Sequence, residues 1–297
     1  MSDKPGGEPL RPLVGAVGRR KAREAGQRPV SPESRAPFAS DFTYDFFCKL
    51  LQAAGTNFDI HRVGDAPRIL DRDGLPKLIL RHDVDLDLDS ALRMAEIEHE
   101  MRVRATYLVM LNSPLYRVDD AASKAKLARL LELGHEVGLH FDIDDPDESN
   151  PDLDVAVVEK PIRAAADRLE KVIRRPVESV SFHRPIRQLL RGPLRVAGLV
   201  NAYSARLMSW YLSDSKGSWR EGDPFPMLLD PPHPLLQLLI HPFWWDREHR
   251  RAEQRLEELF TRATRGMSPA EIEALDAALA GHLSIWRPRV RAERITT

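Results

Sequence analysis

From Asp41 onward, short Leu-rich or β-branched runs alternate with stretches of helical period, and that alternation constrains the fold more than anything else in the chain. Runs at 77–84 (KLILRHDV), 105–110 (ATYLVM), 136–141, 179–183, 199–204 and 236–241 (LQLLIH) read as strands. Segments at 44–54, 90–101, 121–133 and 155–174 place apolar residues on one helical face, with Pro161 suited to a first turn and Gly134 to a C-terminal cap. Strand and helix in alternation is the signature of βα units around a mainly parallel sheet. Two further helices close the chain, the second opening on Ser268-Pro269-Ala270-Glu271, a capping box.

Composition decides several exclusions. With a single cysteine, Cys48, in 297 residues, no disulfide framework is possible, which fits a reducing compartment. A formal net charge of −1 argues against a dedicated nucleic-acid or membrane-surface protein. The longest apolar runs are too short to cross a bilayer, and no apolar segment follows the N-terminal charges as a secretory signal would require. The expectation is a cytoplasmic protein with no transmembrane segment. Residues 1–40 carry 8 Lys/Arg, 4 Asp/Glu, 11 Gly or Pro and one aromatic residue. Such a stretch buries too little apolar surface to offset its ordering entropy, so a disordered tail is expected there, followed by one α/β domain over 41–297.

Chemistry collects where strands end. The first long strand ends Arg81-His82-Asp83-Val84-Asp85, the third His140-Phe141-Asp142, the fourth His183-Arg184-Pro185 and the last His241-Pro242. Parallel α/β proteins gather catalytic groups at the carboxyl ends of their strands, so four such ends suggest one cleft. Asp83 and Asp85, two apart on an extended segment, point the same way and repel unless a cation lies between them; a solvated acidic loop is the alternative. His140 and Asp144 stand four apart, close enough to share an ion if the chain turns after the strand, although surface loops also look like this. His135 faces the opposite side of its strand from His140 and reads as structural. Arg184 suits pairing with a carboxylate. His241, before Phe243, Trp244 and Trp245, could act as a general acid near an anionic site, a satisfied core histidine being the alternative. The loop Asp214-Ser215-Lys216-Gly217-Ser218-Trp219 suits orienting a histidine or stacking on a sugar ring, and also suits a plain turn. His183, Asp214, Trp219 and Trp244 are thus the substrate-side candidates.

Taken in order, Asp83-Val84-Asp85, GHEVGLH (134–140), Arg184-Pro185 and Leu239-Ile240-His241 resemble the polysaccharide deacetylase superfamily, carbohydrate esterase family 4, also called the NodB homology domain. The fuller strings RHDVD, GHEVGLHFD, SFHRP, DSKGSW and LLIHP resemble a branch associated with bacterial surface-polysaccharide biosynthesis. The likeness spans about residues 41–250. It implies a distorted (β/α)7 barrel, with C-terminal helices beyond it, that holds a divalent metal, zinc foremost. Position by position, it implies Asp83 as catalytic base, Asp85 and His140 as metal ligands, Arg184 as the residue orienting the base, and His241 as catalytic acid. The family's second metal histidine lies four after the first, where this chain has Asp144, so the implied metal set is Asp85, His140 and Asp144. The implied reaction is removal of an acyl group from an N-acylated sugar or sugar-linked precursor. Two alternatives stand beside it: hydrolysis of another non-peptide C–N bond, and a non-catalytic barrel that has lost its metal triad and serves as a binding scaffold.

Overall fold

A computed structural model describes residues 41–142, 155–184 and 189–288. The expected tail at 1–40, Asp144 and Pro185 lie outside the described residues. The chain opens with α1 (Tyr44–Asn57), started by Thr43, whose hydroxyl accepts from Phe46 N at 3.2 Å. A side-chain cap of this kind stabilises a helix by about 1 kcal/mol. The helix turns Phe47, Leu50 and Leu51 inward. Then follow β1 (Asp59–His61), α2 (Ala66–Ile69), β2 (Lys77–Val84), α3 (Leu88–Glu100), β3 (Thr106–Val109), α4 (Ala121–Glu132), β4 (Glu136–Phe141), α5 (Val155–Ile173) and β5 (Ser179–Phe182). Short strands β6 (Arg195–Val196), β7 (Leu199–Asn201) and β8 (Tyr211–Ser213) precede α6 (Phe225–Leu229) and β9 (Leu235–Ile240), and α7 (Ala252–Ala263) and α8 (Pro269–His282) close the described chain.

The strands form one sheet in the order β6-β7-β5-β4-β3-β2-β9-β8, with β1 also on β2. Every pairing is parallel except β6 with β7. Seven parallel strands (β2, β3, β4, β5, β7, β8 and β9) therefore follow one another in chain order around the sheet, and the ring lacks only a β7–β8 pairing among the described residues. The barrel expectation needs one correction. Among the described residues no helix follows β5 or β7, so the strand–helix alternation lapses on that side.

Parallel strands covered on both faces lose the polar alternation of an open sheet. β2 and β9 are buried at every position. On β2, alternation sends Arg81 and Asp83 to one side and His82 to the other, where His82 Nε2 meets Glu98 of α3 at 2.6 Å. His135 belongs to this helix-side network. Its Nδ1 accepts from Ala105 N at 3.2 Å and its Nε2–H donates to Ala95 O at 3.0 Å, tying α3 to β3. Gly138 lets β4 nest between its neighbours, since a Cβ there would collide with the side chains of Ser179 and Leu108. α7 packs Leu256, Leu259 and Phe260 inward. α8 starts on its capping box, with Glu271 accepting from Ser268 N at 2.8 Å.

Candidate active site

The carboxyl ends of β2, β4, β5 and β9 open on a cavity of about 410 Å³. Asp83, Asp85, His140, His183, Arg184, His241 and Trp244 line it, together with Tyr203, Lys216 and the turn that ends α8.

Asp83, near the end of β2, is 2 % exposed. One carboxylate oxygen accepts from Arg81 Nη2 at 2.9 Å and the other from the Ser181 hydroxyl at 3.2 Å. Arg81 is fully buried and lies 4.4 Å from the centre of the Tyr203 ring. Burial, the largest influence, works against its cation, but Asp83, Tyr203 and Tyr211 together outweigh it and hold its pKa above the ordinary value. The family resemblance implied Arg184 as the residue that orients Asp83. Instead, the Arg184 guanidinium makes two 2.9 Å hydrogen bonds to Asp142. The reason is geometric: Arg81 lies two residues from Asp83 on the same strand and therefore on the same face.

Asp85 follows β2 and meets two histidines. His140 Nε2 lies 3.0 Å from Asp85 Oδ1, and His183 Nδ1 lies 3.4 Å from the same atom. The far nitrogen of each ring is committed. A carbonyl only accepts, so His183 Nε2–H donates to His282 O at 2.8 Å. Ser181 gives its proton to the Asp83 carboxylate, so His140 Nδ1–H donates to Ser181 Oγ at 2.6 Å. In the neutral rings the lone pairs of His140 Nε2 and His183 Nδ1 then face the Asp85 carboxylate. That oxygen is buried and makes no well-formed hydrogen bond. Burial pushes the Asp85 carboxyl up, and when the two rings are protonated their N–H groups and charge outweigh it and hold it well below the ordinary value.

Three electron-rich atoms directed at one point repel unless a cation lies between them. Their chemistry, two imidazole nitrogens and a carboxylate oxygen, matches three-ligand catalytic zinc sites. Asp85, His140 and His183 therefore form a set that fits a divalent metal. This changes the reading from sequence. His183, expected as a cleft-lining residue, supplies the second histidine, while Asp144 lies outside the described residues. A second group, Asp142, His183 and His282, also meets the distance requirement, but Arg184 already occupies both oxygens of Asp142.

His241 follows β9 across the cavity. Its Nδ1 is 2.6 Å from Asp214 Oδ1, its backbone N–H also reaches Asp214, and Trp245 Nε1 donates to Asp214 Oδ2 at 2.8 Å. Burial, the largest influence, opposes the imidazolium, but the charge and hydrogen bond of the fully buried Asp214, with the charges of Asp85 and Asp83, together outweigh it and His241 is pushed up to about 9. Asp214 thus orients a histidine and does not itself line the cavity. Trp244 does line it, with a buried Nε1 that has no partner among the described residues. Trp219 does not reach the cavity wall. It packs edge-on against Trp245 with ring centres 6.3 Å apart, because burying its indole gains more than exposing it.

Sequence reasoning passed over Arg81, Ser181, Tyr203 and His282. Arg81 was in plain view within RHDVD. His282 stands 99 residues from the histidine it touches, and no local pattern marks it.

The chain is similar to solved carbohydrate esterase family 4 proteins. The deacetylase PplD of Streptococcus pyogenes, solved with acetate, is 17% identical over 72% of this chain and 86% of its own, with a TM-score of 0.41. The peptidoglycan deacetylase PdaC of Bacillus subtilis is 16% identical over 69% of this chain and 94% of its own, at 0.36. A family 4 pseudoenzyme from Bacillus anthracis is 14% identical over 64% of this chain and 61% of its own, at 0.34. No family model and no curated protein matches the chain. Among the described residues no helix is long and apolar enough to cross a membrane.

Proposed function

We propose that the chain is a metal-dependent hydrolase that removes an acyl group, acetyl foremost, from the nitrogen of an amino sugar. One observation carries this reading: His140 Nε2, His183 Nδ1 and the unsatisfied Asp85 oxygen converge on one point, facing a carboxylate and a protonated histidine across a single cavity. A divalent ion held there, zinc by the ligand chemistry, would supply a Lewis acid for the acyl carbonyl and a water of lowered pKa.

The chain's own residues do the rest. Arg81 and Ser181 fix Asp83 so that its carboxylate presents a lone pair to the cavity, ready to take a proton from the attacking water. His241, kept protonated by Asp214, gives its proton to the departing amine. The same imidazolium offers positive charge to the oxyanion that develops on the carbonyl. Trp244 supplies a ring wall against which a sugar ring can pack. The products are an amino sugar and a carboxylate. A sugar precursor in surface-polysaccharide assembly is the substrate this reading favours, because the fuller motifs resemble that branch.

The test uses N-acetylated sugars and sugar nucleotides, with released acetate as the readout. Chelation should abolish release and zinc should restore it, and Asp83→Asn should be inactive while still binding metal. Undiminished hydrolysis by chelated protein, or by Asp85→Ala, would overturn the proposal.

A further inference from the structure

We infer that α8 belongs to the catalytic apparatus, with His282 acting as a positioning residue that locks the metal-facing tautomer and ring plane of His183. This rests on the proposed metal site. Two independent contacts carry it. The backbone carbonyl of His282 accepts the His183 Nε2–H at 2.8 Å, and the His282 ring lies parallel over the His183 ring, with centres 4.3 Å apart and planes 15° apart.

Imidazole has two tautomers, and only the one bearing its proton on Nε2 can present a lone pair at Nδ1. A carbonyl at Nε2 selects that tautomer, and a stacked ring restricts rotation about the bond that aims Nδ1 at Asp85. Groups behind metal ligands commonly act this way, and their loss costs about tenfold to a hundredfold in metal affinity. His140 receives the same treatment from Ser181 within the barrel. For His183 the partner comes from the last helix, 99 residues away.

α8 is built to hold that position. Leu279 is fully buried, Leu283 nearly so, and Trp286 Nε1 donates to the buried Asp276 at 2.7 Å, fastening the turn after the helix to its body. Residues 280–285 also line the cavity, so this turn walls the site while its residue 282 holds the ligand. Deleting the helix would therefore remove a ligand support as well as a cavity wall.

The experiment compares full-length wild type with His282→Ala and His282→Phe. Zinc affinity is measured by chelator competition, tautomers by long-range ¹⁵N–¹H correlation on metal-free protein, and folding by thermal unfolding. The wild type should show His183 as the Nε2–H tautomer. His282→Ala should bind zinc about tenfold more weakly at unchanged thermal stability, whereas His282→Phe, which keeps a stacked ring, should stay within about threefold of wild type. An Nδ1–H tautomer at His183 in wild type, or wild-type zinc affinity in His282→Ala, would overturn the inference and leave the proposed function standing. A wild type that takes up no zinc would instead overturn the proposed function, and the role of α8 with it.

Discussion

Asp214→Asn removes the charge that keeps His241 protonated while leaving a side chain of nearly the same shape. His241 stands at about 9 against an ordinary 6.5. At about 1.36 kcal/mol per pH unit, that gap corresponds to about 3 kcal/mol favouring the imidazolium. Burial, the largest influence on His241, acts downward and is then opposed only by the weaker effects of Asp85 and Asp83, so without Asp214 the pKa should fall to about 6.5. At pH 8 the protonated fraction would drop from about nine-tenths to about three per cent, and kcat/KM should fall about thirtyfold there. The alkaline limb of the pH–rate profile should move from about 9 to below 7, and an NMR titration of His241 in metal-free protein should move with it. The sign for stability follows from the raised folded value. The stabilisation is fully present below pH 6.5 and is lost as pH rises through about 9, so the variant's deficit should be largest in acid and shrink toward pH 9. An alkaline limb that stays near 9 would refute the assignment of His241 as an acid held by Asp214.

Three further outcomes follow. Ser181→Ala frees His140 to turn and should weaken zinc binding about tenfold or more with little change in melting temperature; equal affinity would show that Ser181 does not hold the ring. Arg81→Met strands the Asp83 carboxylate in the core, and breaking a buried pair in this way should cost about 3–5 kcal/mol in urea unfolding; a loss under about 1 kcal/mol would mean that Asp83 is satisfied without it. Asp144→Ala should leave zinc affinity within about threefold, because Asp85, His140 and His183 already make three ligands; a loss of two orders of magnitude would return Asp144 to the metal set.

The elements with strong local patterns were legible from sequence alone. The strands at 77–84 and 136–141 agree with the expected bounds, and α1, α3, α4 and α5 fall within a few residues of theirs. The short pieces were not, because β1, β6 and β8 are two or three residues long and hold their conformation through neighbours. The site was legible as a collection of strand ends and much less so as a set of pairings. His183 looked like a strand end, yet its meeting with Asp85 depends on β4 and β5 aligning His140 with Ser181 and Phe141 with Phe182. That register is a property of the sheet and leaves no mark in residue spacing. Arg184 was assigned to Asp83 through resemblance, while Arg81, two residues from its partner, needed only the alternation of one strand.

The central claim is that His183 has become the second metal histidine. Crystals of the zinc-loaded full chain, with anomalous diffraction at the zinc edge, test it most directly. The ion should lie about 2.0–2.2 Å from His140 Nε2, His183 Nδ1 and Asp85 Oδ1. An ion held without His183, or one seated on Asp142 and His282 instead, would contradict the account.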